Sequence, residues 1–229
     1  MARMKICGLT AEPEIELVAG FPVGLVGLWH GTAGRHELSR ARLARMAAKA
    51  RAAGTVPCMV TLSHDPRTIA DALTEAEIGV VQLHGFCLPP QIAAIRAAVE
   101  ATGRQVEILK VLHVADGRCL EERLIPSYLR SGADGFILDA FGGRDSVGST
   151  GKRVAIEVAR RLCAALSPRP VLLAGGIDAL ALGALDMGDR FAGFDIDSGA
   201  RSAGRLCRDR IEALTAALSR LTGGQRHAA

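Results

Sequence analysis

Lys5-Ile6-Cys7-Gly8-Leu9-Thr10 is a short apolar run that breaks off at a lone cysteine and a glycine. Seven more runs of this kind follow, each ending in Gly, Asp, His or another polar residue, and their periodicity predicts strands near Lys5 to Gly8, Val23 to Trp29, Val56 to Leu62, Val80 to His84, Val106 to Leu112, Gly135 to Asp139, Val171 to Ala174 and Phe191 to Ile196. Between them, helical patterns run near Pro13 to Val18, Arg40 to Ala53, Pro66 to Glu75, Pro89 to Ala101, Cys119 to Arg130, Arg153 to Leu166, Ala179 to Met187 and Arg205 to Leu221. Buried Val, Ile and Leu strands alternating with amphipathic helices make a parallel sheet, whose functional groups gather where strands end. Eight repeats without a Pro/Gly/Ser-rich linker predict an α/β fold, a single (β/α)8 TIM barrel over residues 1–221, with residues 222–229 as a frayed, disordered tail. An open doubly wound sheet would carry G-x-G-x-x-G after its first strand, and Cys7-Gly8-Leu9-Thr10 does not supply it.

The 229 residues hold ample apolar material for one core. No apolar run is long and uncharged enough to cross a bilayer, and no hydrophobic segment preceding a cleavage site opens the chain, so the expected location is cytoplasmic, with no membrane partner. The six cysteines have neither C-x-x-C pairing nor His neighbours at zinc-ligand spacing, which predicts free thiols and no metal site. The net charge of +4 is spread over helix faces, and aromatic residues are too scarce to stack bases, which argues against a nucleic-acid partner. Gly148-Ser149-Thr150-Gly151-Lys152 looks like the end of a nucleotide phosphate loop. Ser146 and Arg153 stand where that motif needs Gly and Ser or Thr, so it reads as a βα loop.

Taken in order and spacing, Lys5-Ile6-Cys7-Gly8-Leu9-Thr10, Val81-Gln82-Leu83-His84-Gly85, Ile137-Leu138-Asp139, Gly148 to Lys152, Leu173-Ala174-Gly175-Gly176-Ile177 and Asp195-Ile196-Asp197-Ser198-Gly199 resemble phosphoribosylanthranilate isomerases over nearly the whole barrel. The related histidine-pathway isomerase shares the phosphate loops but begins with an aspartate base, where this chain has Cys7. The resemblance implies an Amadori rearrangement in bacterial tryptophan biosynthesis, with no cofactor and a phosphorylated small molecule as substrate, in a monomer or homodimer.

Within that resemblance, Cys7 is the general base and Asp139 the general acid; Arg35 clamps the anthranilate carboxylate; Gln82 and His84 bind substrate; and Gly175, Gly176, Ile177, Ser198 and Gly199 hold phosphate. The chemistry sets its own conditions. A thiol with an ordinary pKa near 8.5 needs nearby positive charge to act as a base, for which Lys5, on the same strand face, is the candidate. A carboxyl acting as acid must be raised above its ordinary value of about 3.9, a shift Lys110 would oppose if close.

Three departures from the family pattern stand out. Asp197 replaces a serine beside the phosphate and Arg201 an acidic residue, which together read as a charge swap; Val154-Ala155-Ile156 replaces Phe-Asp-Trp; and Gly27-Leu28-Trp29-His30-Gly31, around the second strand, replaces a more apolar pattern, with Trp29 and His30 either stacking on the substrate ring or packing the barrel mouth. These changes leave open a paralogue acting on another amino-sugar phosphate or aromatic amine, or a ligand-binding barrel without turnover.

Overall fold

The computed structural model describes residues 3–32, 36–143, 153–185 and 191–223. Eight strands, β1 (Arg3–Ile6), β2 (Leu25–Trp29), β3 (Val56–Thr61), β4 (Val80–Leu83), β5 (Glu107–Ala115), β6 (Gly135–Ala140), β7 (Val171–Leu173) and β8 (Gly193–Ile196), run parallel in the ring order β4-β3-β2-β1-β8-β7-β6-β5, closed by a β4–β5 pairing. Helices α1 (Glu12–Ala19), α2 (Arg40–Ala52), α3 (Pro66–Glu75), α4 (Pro89–Glu100), α5 (Ile125–Tyr128), α6 (Ile156–Leu166), α7 (Ala179–Gly183) and α8 (Arg208–Gly223) alternate with them. This is the expected TIM barrel.

Two apolar layers build it. Leu9, Ile15, Val26, Leu28, Leu43 and their neighbours fill the space between strands and helices. Leu25, Cys58, Val80, Leu109, Val111, Ile137, Leu172 and Ala174 make a smaller cluster, in which the barrel strands point inward. Because side chains alternate along a strand, Lys5 and Cys7, Gln82 and His84, and Asp195 and Asp197 share inward faces, and the inside of the barrel turns polar toward the C-terminal ends of its strands.

Four predicted helices differ in extent from the structure. Cys119 to Arg130 is helical only over a 3-10 turn at Glu122–Leu124 and the four residues of α5. Pro126 cannot sit inside a helix continuing from upstream, and Arg118–Cys119 instead folds back antiparallel on Val114 and Ala115, lengthening β5 beyond Leu112. The last helix starts at Arg208 rather than Arg205, because Arg205–Leu206 pairs antiparallel with Arg201–Ser202. Helix α6 begins at Ile156, three residues later than expected, with Val154 buried ahead of it. Helix α7 ends at Gly183; its predicted end at Met187 lies outside the described residues, as do 224–229 of the expected tail, whereas α8 continues to Gly223. Among the described residues no helix is long and apolar enough to cross a membrane.

Candidate active site

β1 ends at Ile6, and the next residue, Cys7, is held there by its amide donating to the Ile196 carbonyl at 2.7 Å. Two residues earlier, the buried Lys5 ammonium donates to Asp195 Oδ1 at 2.7 Å, straight across the β1–β8 register. The charge of the same ammonium also acts on the Cys7 thiol, pulling its pKa down. Both groups crowd against Gly27 of β2: a Cβ there would stand 2.7 Å from Cys7 Sγ and 3.0 Å from Lys5 Nζ, so only glycine leaves room for the pair.

The chain of polar contacts continues past Asp195. Gln82 Nε2 donates to Asp195 Oδ2 at 3.2 Å and lies 3.2 Å from His84 Nδ1, while His84 Nε2 lies 3.8 Å from Asp139 Oδ2. Cys7, Gln82, His84 and Asp139 thus face one cleft enclosing about 480 Å³ of empty space, which Trp29, Asp195, Asp197, Gly175, Gly176, Ile177 and Ser198 also line.

Burial sets the protonation of this group. It raises the Asp139 carboxyl to about 7, with the Asp195 charge working the same way against the Ala140 amide and Lys5. It also pushes the Cys7 thiol up to about 12; Lys5 pulls down, but Asp195 and Asp197 push up. Lys5 is in place as the candidate positive charge, yet desolvation and two carboxylates outweigh it, and Cys7 rests as a thiol. Lys5 stays charged because the Asp195 carboxylate, at 2.7 Å, holds its proton against a large desolvation cost. His84 falls to about 3 through burial and the nearby His113, Lys5 and Lys110, so it is neutral. Lys110 does not act on Asp139: its ammonium is spent on Glu121 at 3.3 Å and the Gly85 carbonyl at 3.0 Å.

The phosphate-type turns close the other wall. Gly175 and Gly176 follow β7 with φ of 80° and 62°. A Cβ on Gly199 would stand 1.9 Å from the Ile177 carbonyl oxygen, so glycine there is what lets the turn after β8 press against the turn after β7. Asp197 does not face this turn uncompensated: Arg201 Nε donates to its Oδ1 at 2.6 Å and Arg201 Nη2 to the Gly8 carbonyl at 2.8 Å. The two departures are one ion pair.

Of the predicted site residues, Cys7, Gln82, His84, Asp139, Gly175, Gly176, Ile177 and Ser198 come together on the cleft, while Gly199 packs behind it. Arg35 lies outside the described residues, as does the Gly148 to Lys152 loop. Trp29 lines the cleft, but His30 turns away, its Nδ1 2.8 Å from the Leu38 carbonyl. Gly27 was not singled out from the sequence, and Asp195 was assigned no role there. A lone glycine inside an apolar strand was the available signal for Gly27; Asp195 needed the strand register. The cysteines are all free, with Cys58, Cys87 and Cys119 buried.

A closed parallel barrel that faces a thiol and a raised carboxyl across one cleft, with glycine turns after β7 and β8, defines a class: a barrel enzyme using acid/base chemistry on a phosphorylated small molecule. The comparisons with known proteins narrow it. The family model of N-(5'-phosphoribosyl)anthranilate (PRA) isomerase matches residues 4–215. An N-(5'-phosphoribosyl)anthranilate isomerase of Azorhizobium caulinodans is 33% identical over 202 residues, 87% of this chain and 83% of the relative. The crystal structure of phosphoribosyl anthranilate isomerase from Thermus thermophilus superposes with a TM-score of 0.76 at 25% identity, covering 96% of this chain and 99% of that one. The Pyrococcus furiosus isomerase shares the fold with the same TM-score at 18% identity. The chain belongs to the phosphoribosylanthranilate isomerase family, intramolecular isomerases of tryptophan biosynthesis that catalyse an Amadori rearrangement.

Proposed function

We propose that this chain rearranges N-(5-phosphoribosyl)anthranilate to 1-(2-carboxyphenylamino)-1-deoxyribulose 5-phosphate, with Asp139 as general acid and Cys7 as general base. The observation that carries the assignment is the shared cleft: β1 and β6 are not neighbours in the ring, yet Cys7 and Asp139 line the same space. Asp139 gives its proton to the furanose ring oxygen, the C1–O bond breaks with its electron pair going to that oxygen, and the lone pair of the anthranilate nitrogen on C1 forms the C=N bond of an iminium. Cys7, as thiolate, then takes the C2 proton, and the electron pair of the C–H bond neutralises the iminium as an enolamine, which ketonises. The enzyme is left with a thiol and a carboxylate.

This proton count supports the roles despite the high thiol pKa. Above about pH 7 the free pair holds one proton, resting on sulfur. The reactive form is the tautomer with that proton on Asp139. The Lys5 ammonium beside the sulfur favours this tautomer, and the iminium charge adds to it once the ring opens.

Gln82 Oε1 is buried and has no hydrogen-bond partner among the described residues, while its amide nitrogen serves Asp195 and His84; a substrate hydroxyl completes it. The Gly175-Gly176-Ile177 and Ser198-Gly199 turns take the phosphate, and Arg35 takes the anthranilate carboxylate. The Asp197–Arg201 pair removes one reason to suspect another substrate. The enzyme works in the cytoplasm on a freely diffusing compound. Steady-state turnover of phosphoribosylanthranilate by the parent, lost in both Cys7→Ser and Asp139→Asn, is the expected result. Inactivity of the parent on this compound, with turnover of another aldosamine, would transfer the site to a paralogous reaction.

A further inference from the structure

His84 is not fully used by the reaction above. It is buried, with 5% of its surface exposed, and fixed on every side: its amide donates to the Thr61 carbonyl at 2.9 Å, His113 Nε2 lies 3.0 Å from its carbonyl oxygen, and Trp29 packs on its ring at a 5.1 Å centroid distance. Its Nδ1 faces Gln82 Nε2, and an amide NH2 has only hydrogens to give. With Gln82 Nε2 also donating to the charged Asp195, the amide is oriented by the ion pair beneath it. Nδ1 must therefore accept, and the one proton of the neutral ring sits on Nε2, the nitrogen 3.8 Å from Asp139 Oδ2.

We infer that His84 is the positioning residue for the general acid: held by Gln82 in its Nε2–H form, it aims a donor at the Asp139 carboxylate that appears as the substrate ring opens. At 3.8 Å the contact is too long for a hydrogen bond as it stands, and it closes whenever Asp139 carries charge, in the resting pair above about pH 7 and again as the substrate ring opens. A neutral donor suits this place. An imidazolium would hold Asp139 ionised and unable to give a proton, whereas an Nδ1–H tautomer would turn a lone pair on the new anion. The chain Lys5, Asp195, Gln82, His84 thus links the base to the acid through contacts that fix one ring tautomer. Besides His84, the charged or titratable groups facing Asp139 are Asp195 and Asp197, which raise its pKa, and Lys5, which lowers it; besides Asp139, those facing His84 are His113, Lys5 and Lys110.

This inference rests on Asp139 being the acid, and the test separates the two. Imidazole 15N spectra of the parent, with the His84 signal assigned through His84→Phe, should show a neutral ring protonated at Nε2 across pH 6 to 9, the range being about the ordinary His pKa. In His84→Phe and Gln82→Met, kcat should fall about tenfold or more, as for a lost hydrogen bond to a charged group, with KM for phosphoribosylanthranilate changing less. The rising limb of kcat/KM should move to higher pH in both, because the carboxylate has lost its donor. A ring protonated at Nδ1, or a KM increase with kcat and the limb unmoved, overturns the positioning role and makes His84 a plain substrate contact. Full activity of Asp139→Asn would instead overturn the acid assignment itself.

Discussion

Two buried lysines on opposite sides of the barrel, in β1 and β5, make opposite use of the same chemistry. Lys5 and Lys110 are both fully buried, and each pairs with a carboxylate, Asp195 at 2.7 Å and Glu121 at 3.3 Å. Lys5 sits between Asp195 and the Cys7 sulfur and keeps its proton strongly. Lys110 shares Glu121 with His113, whose Nδ1 lies 2.7 Å from the same oxygen, and burial lowers its pKa. Its other partners are main-chain carbonyls of Gly85 and Val111, and Tyr128 bonds the Cys87 carbonyl nearby, so this cluster ties down the loop after β4. What a buried ion pair does is decided by its third neighbour: a reactive sulfur in one case, a loop in the other.

Substitution should break this comparison on one side only. Lys5→Met leaves Asp195 buried without its cation, and we expect turnover to fall about a thousandfold, within the range for a group that sets the protonation of a catalytic base, with stability down by about 3–5 kcal/mol. Lys110→Met should cost a similar amount of stability, about 3–5 kcal/mol for a broken buried pair, while kcat in the folded fraction stays within about threefold. Denaturant unfolding and steady-state kinetics on the same samples check both. Equal losses of kcat would erase the distinction.

The fold was readable because each barrel strand carries its own apolar run and polar ending, and seven of the eight helical patterns correspond to a regular helix of similar extent or a shorter core of one. The hairpin at Arg118–Cys119 was not readable: a two-residue antiparallel pair leaves no periodicity, and the helical pattern there is cut by Pro126. The site was legible in its residue types, since Cys7, Gln82, His84 and Asp139 all reach the cleft. Their protonation was not. The thiol's rise to about 12 comes from burial and from Asp195 and Asp197, which meet it only through strand register and a turn.

Smaller effects sharpen the comparison. Gly27→Ala puts a methyl against both Cys7 Sγ and Lys5 Nζ and should destabilise by about 1–3 kcal/mol through overpacking. It should also lower kcat, whereas among the described residues no comparable glycine guards Lys110; thermal unfolding and kinetics test this. Asp139→Asn should raise stability at alkaline pH. A folded-state value near 7 against an ordinary 3.8 means the folded carboxyl keeps a proton that the unfolded chain releases, so stability falls as pH rises between these values and the loss is complete above 7. The variant escapes that loss; melting scans at pH 4 and pH 8, flanking this window by about one unit at the alkaline end, should differ from the parent only at the higher pH.

The account turns on a single proton divided between Cys7 and Asp139, and the pH dependence of kcat/KM for phosphoribosylanthranilate reads it directly. The parent should gain activity through about pH 7 and hold a plateau well into the alkaline range, because the singly protonated pair persists until the thiol ionises near 12. Residual activity of Asp139→Asn should lack the limb at 7. A profile that instead declines above pH 7, or a limb that survives in Asp139→Asn, would contradict it.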